Sequence, residues 1–302
     1  MSLFDRLVDA ALANRADLGQ LRPVVEKELL HHDILRTMAE MGVLQRLTFI
    51  GGTCLRACYG SNRLSEDLDF TGGADFDKDT LSDLGERLKE MVDEKYGLPV
   101  EVSEPRKERD DAEGGNVDTW KLKVQTRPQM KTMPAQRIHI DICAIPSHDR
   151  QFHTLRNLYD VDMGTGGLVL AAQSQREILA DKVVALAMRR SRLKNRDLWD
   201  IAWLHQRGAE VDSALVRQKL ADRAIDPEVF LAALHERAAF VAGDQAAQAD
   251  FRKEMERFLP IDPVEKTVRN PQFWTFLAGL IGAIEQTMRR EFNEAPGTGF
   301  RM

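Results

Sequence analysis

Apolar positions along the chain follow two different periods, and the change from one to the other divides it. Val25, Leu29, Ile34, Leu35, Met38 and Met41 recur at the spacing of an amphipathic helix over 23–43. An apolar run at 47–50 then leads into Gly51-Gly52-Thr53, a helix-compatible stretch to about Tyr59, a polar turn at 60–63 and a second apolar stretch ending at Phe70. The predicted order is strand, glycine turn, helix, turn, strand. Residues 75–95 read as a further helix and 99–102 as a strand. Trp120, Leu122 and Val124 alternate with Lys121, Lys123 and Gln125, and Ile138, Ile140 and Ile142 alternate with His139, Asp141 and Cys143. Both runs predict half-buried strands.

From Ser174 onward the period is helical nearly to the end. Ser174 and Glu177 form a Ser-x-x-Glu start signal for a helix reaching about Arg190, and Asn195 is placed to cap a helix over 196–206. The segment 146–167, with Pro146, Gly164, Gly166 and Gly167, is expected to connect the two halves. The expected domains are an α/β unit with N-terminal helices at 1–160 and a helical unit at 161–302. The charged and glycine-rich segment 104–116 reads as a solvated loop, and 296–302 as a frayed end.

Composition narrows the class. With 302 residues, 43% of them hydrophobic, the chain can bury a real core. Its longest nearly uncharged run, 274–284, is far short of the ~20 residues needed to cross a bilayer and is expected as a buried helix. The first residues mix charge into apolar positions, unlike a secretory leader, so a cytoplasmic protein without a membrane partner is expected. Cys54, Cys58 and Cys143 include no CxxC pair, which argues against a disulfide framework or zinc knuckle and for small buried hydrophobes. A net charge of -6 requires any phosphate-binding surface to be a local patch.

Candidate chemistry gathers around Asp67-Leu68-Asp69-Phe70. In a strand the two carboxylates project from one face while Leu68 and Phe70 enter the core. Carboxylates so placed repel each other unless a cation lies between them, which suits Mg²⁺ or Mn²⁺ with open positions for substrate phosphates. Gly51-Gly52-Thr53, leaving a strand for a helix, offers backbone N–H groups and a hydroxyl to a phosphate, although a mere tight turn reads the same way. Asp141, opposite the isoleucines, is either a third metal ligand or general base, or part of a solvated face. Lys182 falls in the apolar stripe of Ile178, Leu179, Val183 and Leu186 and needs a negative partner. Asp197 or Asp200 is available as that partner, and so is a triphosphate. The run Arg189 to Arg196, with Lys121, Lys123, Lys131 and Arg137, is either a phosphate-binding patch or a solvated corner between helices.

These pieces together resemble a known family. Gly51-Gly52-Thr53, Leu55-Arg56, Arg63 and Ser65-Glu66-Asp67-Leu68-Asp69-Phe70 are similar to the first motif of the AbiEii/AbiGii nucleotidyltransferase toxins of type IV toxin-antitoxin systems. The 177–182 segment and Arg196-Asp197-Leu198-Trp199-Asp200 resemble the family's remaining motifs. The resemblance implies a DNA-polymerase-β-like α/β (α+β) core with a mixed sheet and a mainly α-helical C-terminal domain. It implies transfer of a nucleoside monophosphate from an NTP, and in the related MenT-like toxins the acceptor is the tRNA 3′ end. Asp67 and Asp69 would hold Mg²⁺ or Mn²⁺. Gly51, Gly52, Thr53, Arg63, Ser65 and Arg196 would meet nucleotide phosphates. Lys182 would meet the nucleotide, Asp197 would be an essential acid, and Asp200 would support them. The helical domain would thereby contribute Lys182 and Asp197 to the site, and an antitoxin encoded nearby would be the protein partner. The long interval between Thr53 and Asp67 suits the toxin branch better than small-drug transferases, and a third strand acid such as Asp141 does not define that branch. The alternatives are an aminoglycoside-type nucleotidyltransferase and a catalytically silent nucleotide-binding module.

Overall fold

The computed structural model of the protein describes residues 2–105, 117–130, 132–189 and 193–294. Most of the 104–116 loop, Lys131, residues 190–192 of the basic run and the 296–302 tail lie outside them. The chain divides into an α/β unit, Met1–Ser174 with Phe258–Ile261, and a helical unit, Gln175–Arg257 with Asp262–Met302.

The α/β unit opens with helices α1 (Leu3–Asn14) and α2 (Arg22–Glu40), followed by strand β1 (Thr48–Ile50), α3 (Gly51–Ala57) and β2 (Leu68–Thr71). After α4 (Leu84–Tyr96) come β3 (Val100–Ser103), β4 (Val117–Val124), β5 (Gln136–Cys143), β6 (Arg150–Thr154) and β7 (Val169–Gln173). They form one mixed sheet in the order β3-β4-β5-β2-β1-β7-β6. β1 runs antiparallel to β2 and parallel to β7, and β2 runs parallel to β5. The expected α/β core with a mixed sheet is thus the observed one, and so is the helical C-terminal region.

Alternation along β4 and β5 decides which face is dry. Trp120, Leu122, Val124, Ile138, Ile140 and Ile142 are buried with Leu68 and Phe70, and Phe70 stacks on Phe49 with ring centroids 5.0 Å apart. Period two then sends Thr119, Lys121, His139, Asp141 and Asp69 to the opposite face. The segment expected as a connector contains β6, whose Arg-Gln-Phe-His-Thr sequence lies at the sheet edge with Phe152 78% exposed. A strand with one open edge and little buried surface needs no apolar alternation, so its sequence carries no strand signal.

The helical unit comprises α5 (Gln175–Met188), α6 (Asn195–Gln206), α7 (Ser213–Asp222), α8 (Pro227–Gly243), α9 (Gln245–Met255), all but the first residue of the short α10 (Ile261–Pro263), and α11 (Pro271–Asn293). Asp212, Asp226, Asp244 and Asn270 cap their helices by accepting first-turn N–H groups. Asn195, expected as a cap, is the first helical residue of α6, and its amide donates to Glu254 at 3.1 Å. The 274–284 run lies within α11, where Leu277, Leu280, Ile281 and Ile284 form the buried face and Phe276 stays exposed. No described helix is long and apolar enough to cross a membrane. Cys54 and Cys58 are buried as expected, while Cys143 is half-buried and its Sγ donates to the Phe70 carbonyl.

Helix α2 buries charge as well as apolar surface. His31 donates from Nε2 to the Glu66 carbonyl at 2.9 Å. Burial disfavours its protonated form and lowers its pKa from the usual 6.5 to about 4; burial lowers that of His32 as well. Unfolding lets both imidazoles take protons at their ordinary pKa, so stability is complete above pH 6.5 and falls as pH drops toward 4. We expect up to about 3 kcal/mol of that loss to come from His31. Denaturant unfolding of wild type and His31→Gln across pH 4–7 should show a shallower slope in the variant, and identical slopes would remove His31 as the cause.

Candidate active site

The turn between β1 and α3 brings the chain backbone close to a carboxylate of β2. Gly51 has φ +76°, and a Cβ built on it would stand 2.7 Å from Asp69 Oδ2. Antiparallel pairing of Ile50 with Asp69 brings the two together. Asp69 in turn lies in register with Asp141 on the parallel strand β5, and the Thr119 hydroxyl on β4 donates to Asp141 Oδ1 at 2.7 Å. Asp67 sits just before β2, where its Oδ1 accepts the His139 backbone N–H at 3.1 Å and lies 3.4 Å from His139 Nδ1. The His139 backbone N–H therefore holds the Asp67 carboxylate in place.

Asp67, Asp69 and Asp141 are all half-buried. Among the described residues no group of three or more His, Cys, Asp or Glu forms a ready ligand shell. The donor chemistry nevertheless fits a hard divalent cation, because these are oxygen ligands on neighbouring strands. A carboxylate with one oxygen in a hydrogen bond keeps lone pairs for a metal.

The expected phosphate-binding residues of this unit divide by exposure. Gly51 is half-buried, whereas Gly52 is buried. The Thr53 hydroxyl turns inward, donating to the Asp67 carbonyl and sharing a hydrogen bond with the Ser65 hydroxyl at 2.7 Å. Arg63 is 2% exposed and donates from Nη1 to the Leu64 carbonyl at 2.9 Å. Thr53, Arg63 and Ser65 thus brace the chain entering β2 with their side chains. The sequence showed these residues as a motif but gave no sign of that inward direction.

In the helical unit Lys182 Nζ pairs with Asp197 at 2.6 Å and with Asp200 at 3.0 Å. Both carboxylates considered as its partner are engaged together. Burial pushes the Asp197 carboxyl up, but Lys182 and then Lys194 hold it below the usual range. Asp197 therefore stabilises the fold above the ordinary carboxylate pKa, and this contribution is lost as pH falls through its depressed value. Arg196 Nε lies 3.5 Å from Glu254. A second buried cluster, absent from the sequence reading, joins Lys219 to Glu177 and to Asp181, the latter at 3.3 Å.

The sequence matches the family described as "Nucleotidyl transferase AbiEii toxin, Type IV TA system" over residues 33–279. The chain belongs to that family. As an AbiEii-family member it is a nucleotidyl transferase toxin by kind, and the family generally draws on an NTP and a divalent metal. Toxin-antitoxin membership implies an antitoxin partner. A Helicobacter pylori structure described as a nucleotidyltransferase is 16% identical, with TM-score 0.51, covering 89% of this chain and 97% of its own. JHP933 from Helicobacter pylori is 15% identical, with TM-score 0.49 and coverage of 89% and 95%. MenT4, the nucleotidyltransferase toxin Rv2826c from Mycobacterium tuberculosis H37Rv, is 19% identical, with TM-score 0.46 and coverage of 94% and 96%. At these identities the first likeness shows the fold and no more. No curated protein matches the AbiEii-family chain.

Two outcomes follow for variants. Gly51→Ala forces a left-handed backbone onto a Cβ and drives it into Asp69, so we expect a loss of about 1–2 kcal/mol from the backbone alone. Denaturant titration measures it, and wild-type stability would show that the turn relaxes freely. Lys182→Met leaves two nearly inaccessible carboxylates short of a cation and should cost the helical unit about 3 kcal/mol. Lys182→Arg should recover most of that, and equal losses in the two variants would show that shape rather than charge matters there.

Proposed function

We propose that this toxin-family enzyme transfers a nucleoside monophosphate from an NTP to an RNA acceptor, the 3′ end of tRNA, and thereby blocks translation. The observation that carries the reading is the close approach of Asp69 to the side-chain-free Gly51 turn, with Asp141 in register beside it and Asp67 two residues before it. Phosphate donors of the backbone and acids for a cation are thus brought together on a handful of adjacent residues.

The roles follow from the chemistry of each group. Asp67 and Asp69, with Asp141, are assigned to Mg²⁺ or Mn²⁺. When bound, such an ion neutralises the charge that develops on the triphosphate during transfer. Backbone N–H groups of Gly51, Gly52 and Thr53 receive phosphate oxygens, and α3, only seven residues long, adds little dipole to them. Thr53, Arg63 and Ser65 act through their inward hydrogen bonds, which hold the turn and the acids in place. His139 orients Asp67 through its backbone N–H. From the helical domain Lys182 is assigned to the nucleotide, Asp197 and Asp200 to holding that ammonium, and Arg196 to the phosphates. The acceptor hydroxyl attacks the α-phosphorus in line and pyrophosphate leaves. Both NTP and tRNA are found in the cytoplasm, which is where this reading places the protein, with its antitoxin encoded nearby.

The test incubates purified protein and Asp69→Ala with total bacterial tRNA, Mg²⁺ and each α-labelled NTP in turn. Label on tRNA with wild type, falling to background in the variant, is the expected result and names the nucleotide. Equal labelling by Asp69→Ala would overturn the acid assignment. An absence of label with every NTP would overturn the RNA acceptor, and label on an added aminoglycoside would replace it.

A further inference from the structure

Helix α2 grips the chain that enters β2. Lys27 Nζ pairs with the Glu66 carboxylate at 2.7 Å, His31 donates to the Glu66 carbonyl, and Glu28 accepts the Ser65 backbone N–H at 2.9 Å. These residues lie within little more than one helical turn. Glu28 also receives Arg56 Nε on both carboxylate oxygens, at 3.2 and 3.1 Å, and the Tyr159 hydroxyl. Arg56 stands in the last turn of α3, and its Nη1 donates to the Ser61 carbonyl at 2.8 Å. One carboxylate therefore joins α2, α3, both ends of the 61–65 segment and the loop holding Tyr159.

This junction is dry: Glu28 is 4% exposed, Arg56 3% and Tyr159 1%. A buried charge persists only when paired and hydrogen-bonded, and Glu28 has both kinds of partner. Burial opposes the Arg56 charge, yet Glu28 and Tyr159 hold its pKa above the ordinary value. The geometry beyond the junction is what gives it a role. Ser65 precedes Asp67 with only Glu66 between them, and Glu66 is itself held by Lys27 and His31. On the far side Thr53 ties α3 to Ser65 and to the Asp67 carbonyl.

We propose that Glu28 is a positioning residue for the transfer reaction, setting Asp67 and Asp69 against the Gly51-Gly52-Thr53 turn through Ser65 and Arg56. The inference rests on the nucleotidyl-transfer reading above. Glu28 touches no reacting atom in this account, so its effect is on turnover more than on substrate binding. A core role alone would lower stability and leave turnover per folded molecule untouched.

The experiment uses the full chain as wild type, Glu28→Gln, and Val8→Ala, a core truncation in α1 at a residue 0% exposed. Midpoints of thermal unfolding, kcat and KM for α-labelled NTP on total tRNA, and amide hydrogen exchange are measured for each. Glu28→Gln keeps the shape and one acceptor oxygen but loses the charge that orders Arg56. A displacement on the order of 1 Å in a reacting group costs about 10²-fold in rate, so kcat should fall by about that factor with KM within about threefold. Exchange of amides 65–69 should quicken by about tenfold or more as local opening becomes easier. Val8→Ala should lower the midpoint without either change. Glu28→Gln with the kcat and 65–69 protection of Val8→Ala overturns the proposal. Should Glu28→Gln fail to fold, Glu28→Asp, which keeps the charge on a shorter arm, takes its place under the same criteria. If wild type labels no RNA with any NTP, the transfer reading fails, and unchanged exchange at 65–69 in the Glu28 variant then overturns the positioning as well.

Discussion

A carboxylate can lie against a backbone turn only where no side chain stands between them. Gly51 supplies that gap, and its left-handed φ turns the chain out of β1 into α3 beside Asp69. Much of the α/β unit can be understood from this approach. β1 must pair antiparallel with β2 so that Ile50 meets Asp69, and β2 must run parallel to β5 so that Asp69 meets Asp141. A register slip of one residue in β2 would send Asp69 into the core and Phe70 to the wet face. The stacking of Phe49 on Phe70 and the burial of Leu68 prevent that slip. Ordinary hydrophobic alternation thus fixes the alignment on which the acids depend.

Buried ions hold the unit in one arrangement and supply little net stability. Taking a carboxylate and a guanidinium out of water costs nearly as much as their attraction returns, so Glu28–Arg56 is poor evidence for a stable fold. What such a pair does is exclude alternatives, because a shifted loop would strand a charge in a dry place. The helical unit uses the same device twice, in Lys182 with Asp197 and Asp200 and in Lys219 with Glu177 and Asp181. Both lysines have two carboxylates within reach, but Lys182 keeps 12% of its side chain exposed, against 1% for Lys219.

Legibility in the sequence followed the range of the forces involved. The strands β4 and β5 could be read because a half-buried strand writes its period into neighbouring residues, and Lys182 because an ammonium in an apolar stripe breaks a local pattern. β6 could not, since an edge strand makes few demands on its side chains. β7 follows a glycine-rich stretch and is a short buried run, a length that does not separate strand from helix. Arg63 and Thr53 were legible as members of a motif, but the inward direction of their side chains depends on partners that folding supplies.

Glu28 is the instructive omission, because the argument that singled out Lys182 applies to it with equal force. Glu26, Glu28 and Asp33 interrupt the apolar face of α2, and each finds a cation or donor far along the chain: Arg127 for Glu26, Arg56 for Glu28 and Lys95 for Asp33. A single charge in an apolar stripe reads as an anomaly that needs a partner, whereas three on one helix read as a solvated side. The difference is settled by what covers the helix, and that is decided by α4, β5 and the loop before β2, elements farther along the chain. Charge placed on a helix that a sheet will cover therefore carries information about distant segments. It became readable here only once the partners Ser65 and Arg56 were seen to belong to the chain that delivers Asp67.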